Sequence, residues 1–386
     1  MKGIGRATCV VPVLLSIFVG ASAAARPASI LGFTQFAPSS LNFVSPSDVS
    51  ANGTVIVGRG SSFLGAEAFR WELGQGFAAL GGLPGEPRSS GANAVSADGR
   101  VVVGYGGTGG PSQAFRWEAR TGVVALGGLD PSHPDSDGFG VSADGSVVVG
   151  TSFAFNRSQA WRWTAAGGMV GLGFIPGGSY PYSVAIDVSA DGSAVVGRSR
   201  SPFGEEAFRW TAASGMVGLG DLAGGIFWSE ATAASPNGSV VVGIGNSSDG
   251  YEAFRWTSAT GMVGLGDLPT GGFSSTANDV SADGAVIVGW GTAPFYDRAA
   301  FLWRPGQGMR PLVDVLAGLG ADVTGWYLES AIAVSDDGLS IVGEGYRFGQ
   351  PQMYLAYLPE PGISLMLPIG CLELARRARR RSAGRG

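Results

Sequence analysis

The sequence predicts an all-β chain: a seven-bladed β-propeller of four-stranded antiparallel blades. Three observations lead there. A motif recurs seven times at nearly fixed spacing, Asp-Gly or Asn-Gly turns separate its apolar runs, and the repeat is incomplete at both ends. The motif is typified by Val95-Ser-Ala-Asp-Gly-Arg-Val-Val-Val-Gly104, followed by Ala114-Phe-Arg-Trp117. Its Ser falls at Ser50, Ser96, Ser142, Ser189, Ser235, Ser281 and Ser335, with spacings of 46, 46, 47, 46, 46 and 54 residues. A fixed period in this range marks an array of supersecondary units, each needing its neighbours to cover its faces.

Residues 260–303 show what one unit must be. Residues 275–281 alternate as a half-buried strand and stop at Asp283-Gly284, where Gly accepts the positive φ of a hairpin turn. Asn52 and Asn237 replace the Asp in two units and suit the same turn. The Ser ahead of each turn is placed to hydrogen-bond the turn backbone. Next, Ala285-Val-Ile-Val-Gly289 is the continuous apolar run of a strand covered on both faces. In the third strand, Ala300-Phe-Leu-Trp303, Phe and Trp share one side of the pleat. A Gly turn such as Gly261 then leads to a fourth, Met262-Val-Gly-Leu265. Four short strands per unit make a propeller blade. At the ends, residues 30–36 resemble only a fourth strand and residues 353–357 take the place of a third. The N-terminal strand is therefore expected to complete the last blade. An open solenoid, or a six-bladed ring with one unit detached, is the alternative architecture.

Composition narrows the function. The chain has 386 residues, 66 of them Gly, with 14% charged and 45% hydrophobic residues, too apolar for a disordered polymer. Between Ala24 and Pro361, 17 Arg and no Lys face 29 acidic residues, a net of −12. That sign argues against nucleic-acid binding. Cys9 and Cys371 lie outside the repeats, so the repeat body holds neither a disulfide nor a thiol nucleophile.

The two ends read as addresses flanking a propeller at 28–358. Residues 1–25 have the form of a secretory signal: Lys2 and Arg6, an apolar stretch from Val10 to Gly20, then a small-residue cleavage site around Ala21-Ser-Ala23 or Ala23-Ala-Ala25. The tail, 359–386, runs from Leu358-Pro-Glu-Pro361 through an apolar segment to Arg376-Arg-Ala-Arg-Arg-Arg381. It resembles the PEP-CTERM sorting signal of bacterial exported proteins. Pro368 and Glu373 depart from that pattern. The resemblance implies an exported, surface-sorted protein, held transiently in the inner membrane by its tail and processed by an exosortase-type enzyme.

The repeats themselves, Ala-Phe-x-Trp, Gly-x-x-x-Leu-Gly and Ser-x-Asp-Gly-x-x-Val-Gly, resemble the HAF family of extracellular repeats over residues 30–358. The terminal unit around Leu316–Trp326 matches that family closely. The family's motif His is absent: Glu67, Gln113, Gln159, Glu206, Glu252, Ala299 and Gln352 stand there. The resemblance implies export and a repeat fold, and little about activity.

Candidate chemistry is sparse. His133 is the single histidine and supplies at most one ligand or base, which suits a solvated loop residue. Asp130, Asp135 and Asp137 around it lack the spacing and closing Glu of a calcium loop. The Arg between Phe and Trp (Arg70, Arg116, Arg162, Arg209, Arg255) is expected to pair locally, and the Trp beside it to pack between blades. No catalytic residue, metal ligand or cofactor is assigned. Binding is expected on the long, variable loops before each Ser strand and after each Val-Gly strand, led by Trp228, Tyr180, Tyr182, Tyr296 and Trp326. Such aromatics suit an extracellular polysaccharide or a surface protein. The competing expectation is a carbohydrate-active lyase or hydrolase with its site on the same loop face.

Overall fold

The repeated Ser-x-Asp-Gly turn fixes the local structure of every unit. Ser96 Oγ accepts from Val101 N at 2.9 Å and donates to Asp98 Oδ1 at 2.8 Å. Gly99 closes the turn at φ +73°, its N–H on Ser96 O. Ser142, Ser189, Ser281 and Ser335 repeat the arrangement with an Asp, and Ser50 and Ser235 with an Asn. Hydrogen bonds from Ser189 and Ser193 hold the Asp191 carboxyl down at about 2.

The structure, a computed structural model, describes residues 27–33, 41–62, 65–83, 89–107, 112–154, 157–269, 271–294 and 296–360. Residues 1–25, expected to be a secretory signal, and the tail beyond Glu360, expected to carry a sorting signal, lie outside the described residues. Seven blades of four strands are present. In the fifth, Gly224–Ala234, Val240–Ser247, Tyr251–Thr257 and Gly261–Gly264 pair in sequence order, all antiparallel. The innermost strands, from Leu41–Val49 in the first blade to Trp326–Val334 in the seventh, lie side by side around the axis, and the last neighbours the first. The ring is closed, which removes the open-solenoid and six-bladed alternatives. Ser29–Phe33 pairs antiparallel with Gln350–Tyr357, Ser29 opposite Tyr357 and Phe33 opposite Met353. The N-terminal strand thus completes the seventh blade.

Each innermost strand carries a β-bulge, at Ser47, Asn93, Phe139, Ile186, Thr232, Asn278 and Ile332. A bulge turns an extra side chain out of the ladder. Here it sends seven of them toward the axis.

The core is seven separate interblade clusters rather than one central mass. Between blades four and five, for example, Val196, Ala207 and Leu222 meet Ala231, Val241 and Phe254. The third-strand Phe is fully buried in five blades, and Trp161 and Tyr354 take its place in the other two. The recurring Trp flanks these clusters, as at Trp71 and Trp256.

In four of its five blades the recurring Arg is an interblade clasp; in the fifth, Arg255 Nε is buried without an acceptor. Nε of Arg70, Arg116, Arg162 and Arg209 donates to the turn Gly carbonyl of the next blade, Gly99, Gly145, Gly192 and Gly238, at 2.9–3.3 Å. Replacing Arg209 with Met keeps the packed stem and removes the donor. A loss of about 1–2 kcal/mol is expected, measured as a lower urea midpoint at unchanged slope.

The long last spacing contains a helix that the repeat pattern does not predict, Leu312–Gly318. Leu312, Val315 and Leu316 stand at helical spacing and bury one face against the sixth and seventh blades. Gly320, at φ +86°, follows its end.

Candidate functional site

Two regions concentrate chemistry: the axial channel and the long-loop face. The channel begins among the turns. A cavity of about 110 Å³ there is lined by Asp48, Asp187, Asp279 and Asp336 among small apolar residues such as Ala97 and Ala143. Asp48, Asp187 and Asp279 occupy one position, two residues before the turn Ser, in blades one, four and six; Ala94, Gly140, Ala233 and Ala333 hold it elsewhere.

Each of the three Asp residues staples its blade to the next. Asp48 Oδ1 accepts from Val49 N and Oδ2 from Val95 N, at 2.7 and 2.8 Å. Asp187 takes Val188 N and Ala234 N, and Asp279 takes Val280 N and Val334 N, in the same way. The carboxyls have only the small axial cavity beside them and are poorly hydrated, which pushes Asp48 up to about 7 and Asp187 to about 6. Asp279 is also raised well above its ordinary value, by desolvation first and then by the charges of Asp48 and Asp187.

Beyond this ring the bulged side chains line a second cavity of about 280 Å³. Asn93 Nδ2 donates to Gly138 O, Asn278 Nδ2 to Ala331 O and Thr232 Oγ1 to Ala277 O, so these polar members are tied to the next blade. Phe139, Ile186 and Ile332 fill the rest with apolar groups.

On the opposite, long-loop face the five expected binding residues divide. Tyr180 is 48% exposed. Trp228 is half-buried, edge-on to Tyr251 at 5.4 Å between ring centroids. Tyr182 is half-buried and structural: its hydroxyl accepts from Arg198 at 2.9 Å, beside the Arg198–Glu230 ion pair, also 2.9 Å. Tyr296 opens a third strand, and its side chain lies outside the described residues. Trp326 corrects the expectation that it faces solvent. It is 8% exposed, packed edge-on against Tyr354 within the cluster beneath the helix.

What the loop face does present is an apolar ridge across blades four to six. Phe203 and Ile226 are 76% and 79% exposed, and Phe273 and Tyr251 also stand out. Phe203 stacks tilted on Phe227 at 5.4 Å. Single parallel bridges, Glu205 with Trp228 and Tyr251 with Ser274, hold each loop against the preceding blade. Phe203 was missed in the sequence because it is one apolar residue in a bend, where Pro202-Phe-Gly204 was the available signal, and Ile226 because it opens the strand Gly224–Ala234 beside the more conspicuous Phe227-Trp228.

The other candidates are structural. His133 Nδ1 lies 3.2 Å from Asp130 Oδ2, whose partner oxygen accepts from Ser132 N. Asp137 accepts instead from Ser112 Oγ, so these carboxylates do not converge. Among the described residues no group of three or more His, Cys, Asp or Glu could hold a metal ion.

Comparison with solved structures is consistent with this architecture. An oligogalacturonate lyase in complex with manganese aligns at TM-score 0.53 and 14% identity, over 87% of this chain and 98% of that one. The oligogalacturonate lyase of Vibrio parahaemolyticus aligns at 0.52 and 11%, over 87% and 98%. A prolyl endopeptidase aligns at 0.53 and 11%, over 87% of this chain and half of its own length, 50%. The chain is a β-propeller. At these identities the likeness is one of fold alone. No protein-family model matches the sequence, and no curated protein matches it either.

Proposed function

We propose that this propeller is an exported, surface-sorted, non-catalytic module that binds an extracellular polysaccharide through its long-loop face. The observation that carries the reading is the ridge of Phe203, Ile226, Trp228, Tyr251 and Phe273, set on loops and on the strand ends beside them. Aromatic faces stack on the apolar faces of sugar rings, and exposed apolar groups grouped in this way mark interaction surfaces. Export rests on the sequence of the two ends and on the resemblance to extracellular repeats.

Glycan-array binding tests the reading, with the array then probed for cleavage products. Retention of one polysaccharide class without new chain ends supports it. Release of oligosaccharides would instead establish the lyase or hydrolase alternative. The paired substitution Phe203→Ala with Ile226→Ala should weaken binding about tenfold or more, each ring or branched side chain supplying about 1 kcal/mol. Both side chains are largely in solvent, so stability should change by no more than about 0.5 kcal/mol. Mass spectrometry of protein recovered from cells tests export: the expected N-terminus follows Ala23 or Ala25, and the expected C-terminus falls near Pro359-Glu-Pro361.

A further inference from the structure

The propeller places one Arg at the same point in two blades, with opposite surroundings. In blade four, Arg198 follows the Val-Gly of the second strand and is paired with Glu230 of the next blade at 2.9 Å. In blade one the equivalent residue is Arg59, and the residue equivalent to Glu230 is Gly91. Removing the carboxylate leaves an exposed guanidinium with no acidic partner among the described residues. It stands over a pocket of about 320 Å³ lined by Ser45, Ser47, Ser61, Asn93 and Tyr105. On a body of net charge −12 between Ala24 and Pro361, an open Arg in a concave site is the exception.

We propose that this pocket, between blades one and two beside the long-loop mouth of the channel, binds the carboxylate of an acidic sugar residue. The planar guanidinium matches a carboxylate in two parallel hydrogen bonds. One positive charge balances a monoanion, whereas a phosphate dianion would be left half-neutralised against an acidic surface. Of the other polar groups, Ser45 Oγ donates to Glu344 of the seventh blade at 3.1 Å and Asn93 Nδ2 to Gly138 O, which leaves the hydroxyls of Ser47, Ser61 and Tyr105 for a polyhydroxylated carrier. The volume is at the small end of ligand pockets and fits a group of monosaccharide size. Gly91 is what keeps the site open. A Cβ there would stand 2.9 Å from the Tyr105 ring, and a Glu would restore the ion pair seen at Arg198. The site is separate from the apolar ridge and does not depend on it.

Titration of the full chain with glucuronate and galacturonate tests the proposal, with glucose, N-acetylglycine and inorganic phosphate as comparison probes. The uronates are expected to bind, and Arg59→Gln to weaken them about tenfold or more. Gly91→Glu combined with Tyr105→Ile, which copies the blade five residue Ile244, should close the pocket and abolish uronate binding while the thermal midpoint is kept. Phe203→Ala with Ile226→Ala should leave uronate binding unchanged, so failure at the ridge and failure at this pocket read out separately. The proposal is overturned if the native chain binds no uronate, or if Arg59→Gln leaves uronate binding intact. It is equally overturned if glucose, N-acetylglycine or phosphate binds as tightly as the uronates.

Discussion

Removing residues 27–33 is expected to abolish the cooperative monomeric fold. Ser29–Phe33 is the outer strand of the seventh blade, and its loss exposes the edge of Met353–Tyr357. An uncovered, largely apolar edge is a template for pairing with other chains. The truncated chain should therefore elute as oligomers or aggregate, and lose its sharp unfolding transition. A subtler variant probes the same seam. A Cβ at Gly32 would stand 2.7 Å from the Trp326 ring, so Gly32→Val should overpack the joint by about 1–3 kcal/mol. A truncated chain that stayed monomeric, with an unchanged urea midpoint, would show that blade seven closes without its fourth strand.

Stability is also expected to fall as the pH rises from about 4 to about 7. Asp48 ionises at about 7 and Asp187 at about 6 in the folded ring, against the ordinary 3.8. Between those values the folded state holds protons that the unfolded state has released, so unfolding is favoured as pH increases. The stability is fully present below the unfolded value and is lost through the folded one. For Asp48 the loss is roughly 2–4 kcal/mol, and Asp187 and Asp279 add less than their sum because their charges interact. The turn carboxylates act in the opposite sense at lower pH. Asp191, held at about 2, contributes above the ordinary value and loses that contribution as the pH falls toward 2. A maximum near pH 4 follows, checked by urea unfolding across the range. Asp48→Asn should flatten the limb above pH 5, while lowering stability at pH 4 because its amide faces a backbone N–H. A midpoint that is flat or rising between pH 4 and 7 would refute the assignment.

Blade number, turn chemistry and closure by the N-terminal strand were legible in the sequence because they are local and repeated. Period, Asp-Gly position and strand alternation each act within one unit. The clasping role of Arg209 was half legible: its local pairing was expected, but its acceptor is Gly238, 29 residues away in the next blade. The Asp48 ring was not legible, since Asp alternates with Ala or Gly at one column and each carboxylate bonds an N–H 47 or 55 residues on. Trp326 was misread for a related reason. Its Gly-Trp sequence looks like an exposed turn, yet the unrecognised helix Leu312–Gly318 belongs to the same cluster and helps cover the ring. Arg59 was invisible as a site because what distinguishes it is the residue missing across the blade interface, Gly91 in place of Glu.

The break in the chain has a topological consequence. In blade five, Thr257 and Gly261 pair across a three-residue turn, 258–260, joining third strand to fourth. In blade seven the corresponding strands face each other in the same antiparallel sense, Tyr357 opposite Ser29, with no covalent link between them. The two ends are thus one ordinary turn left uncut in six blades and open in the seventh. Linking Pro359 to Ser29 with a short turn, and opening the chain at 258–260 instead, yields a circular permutant in which the same strands meet in the same register.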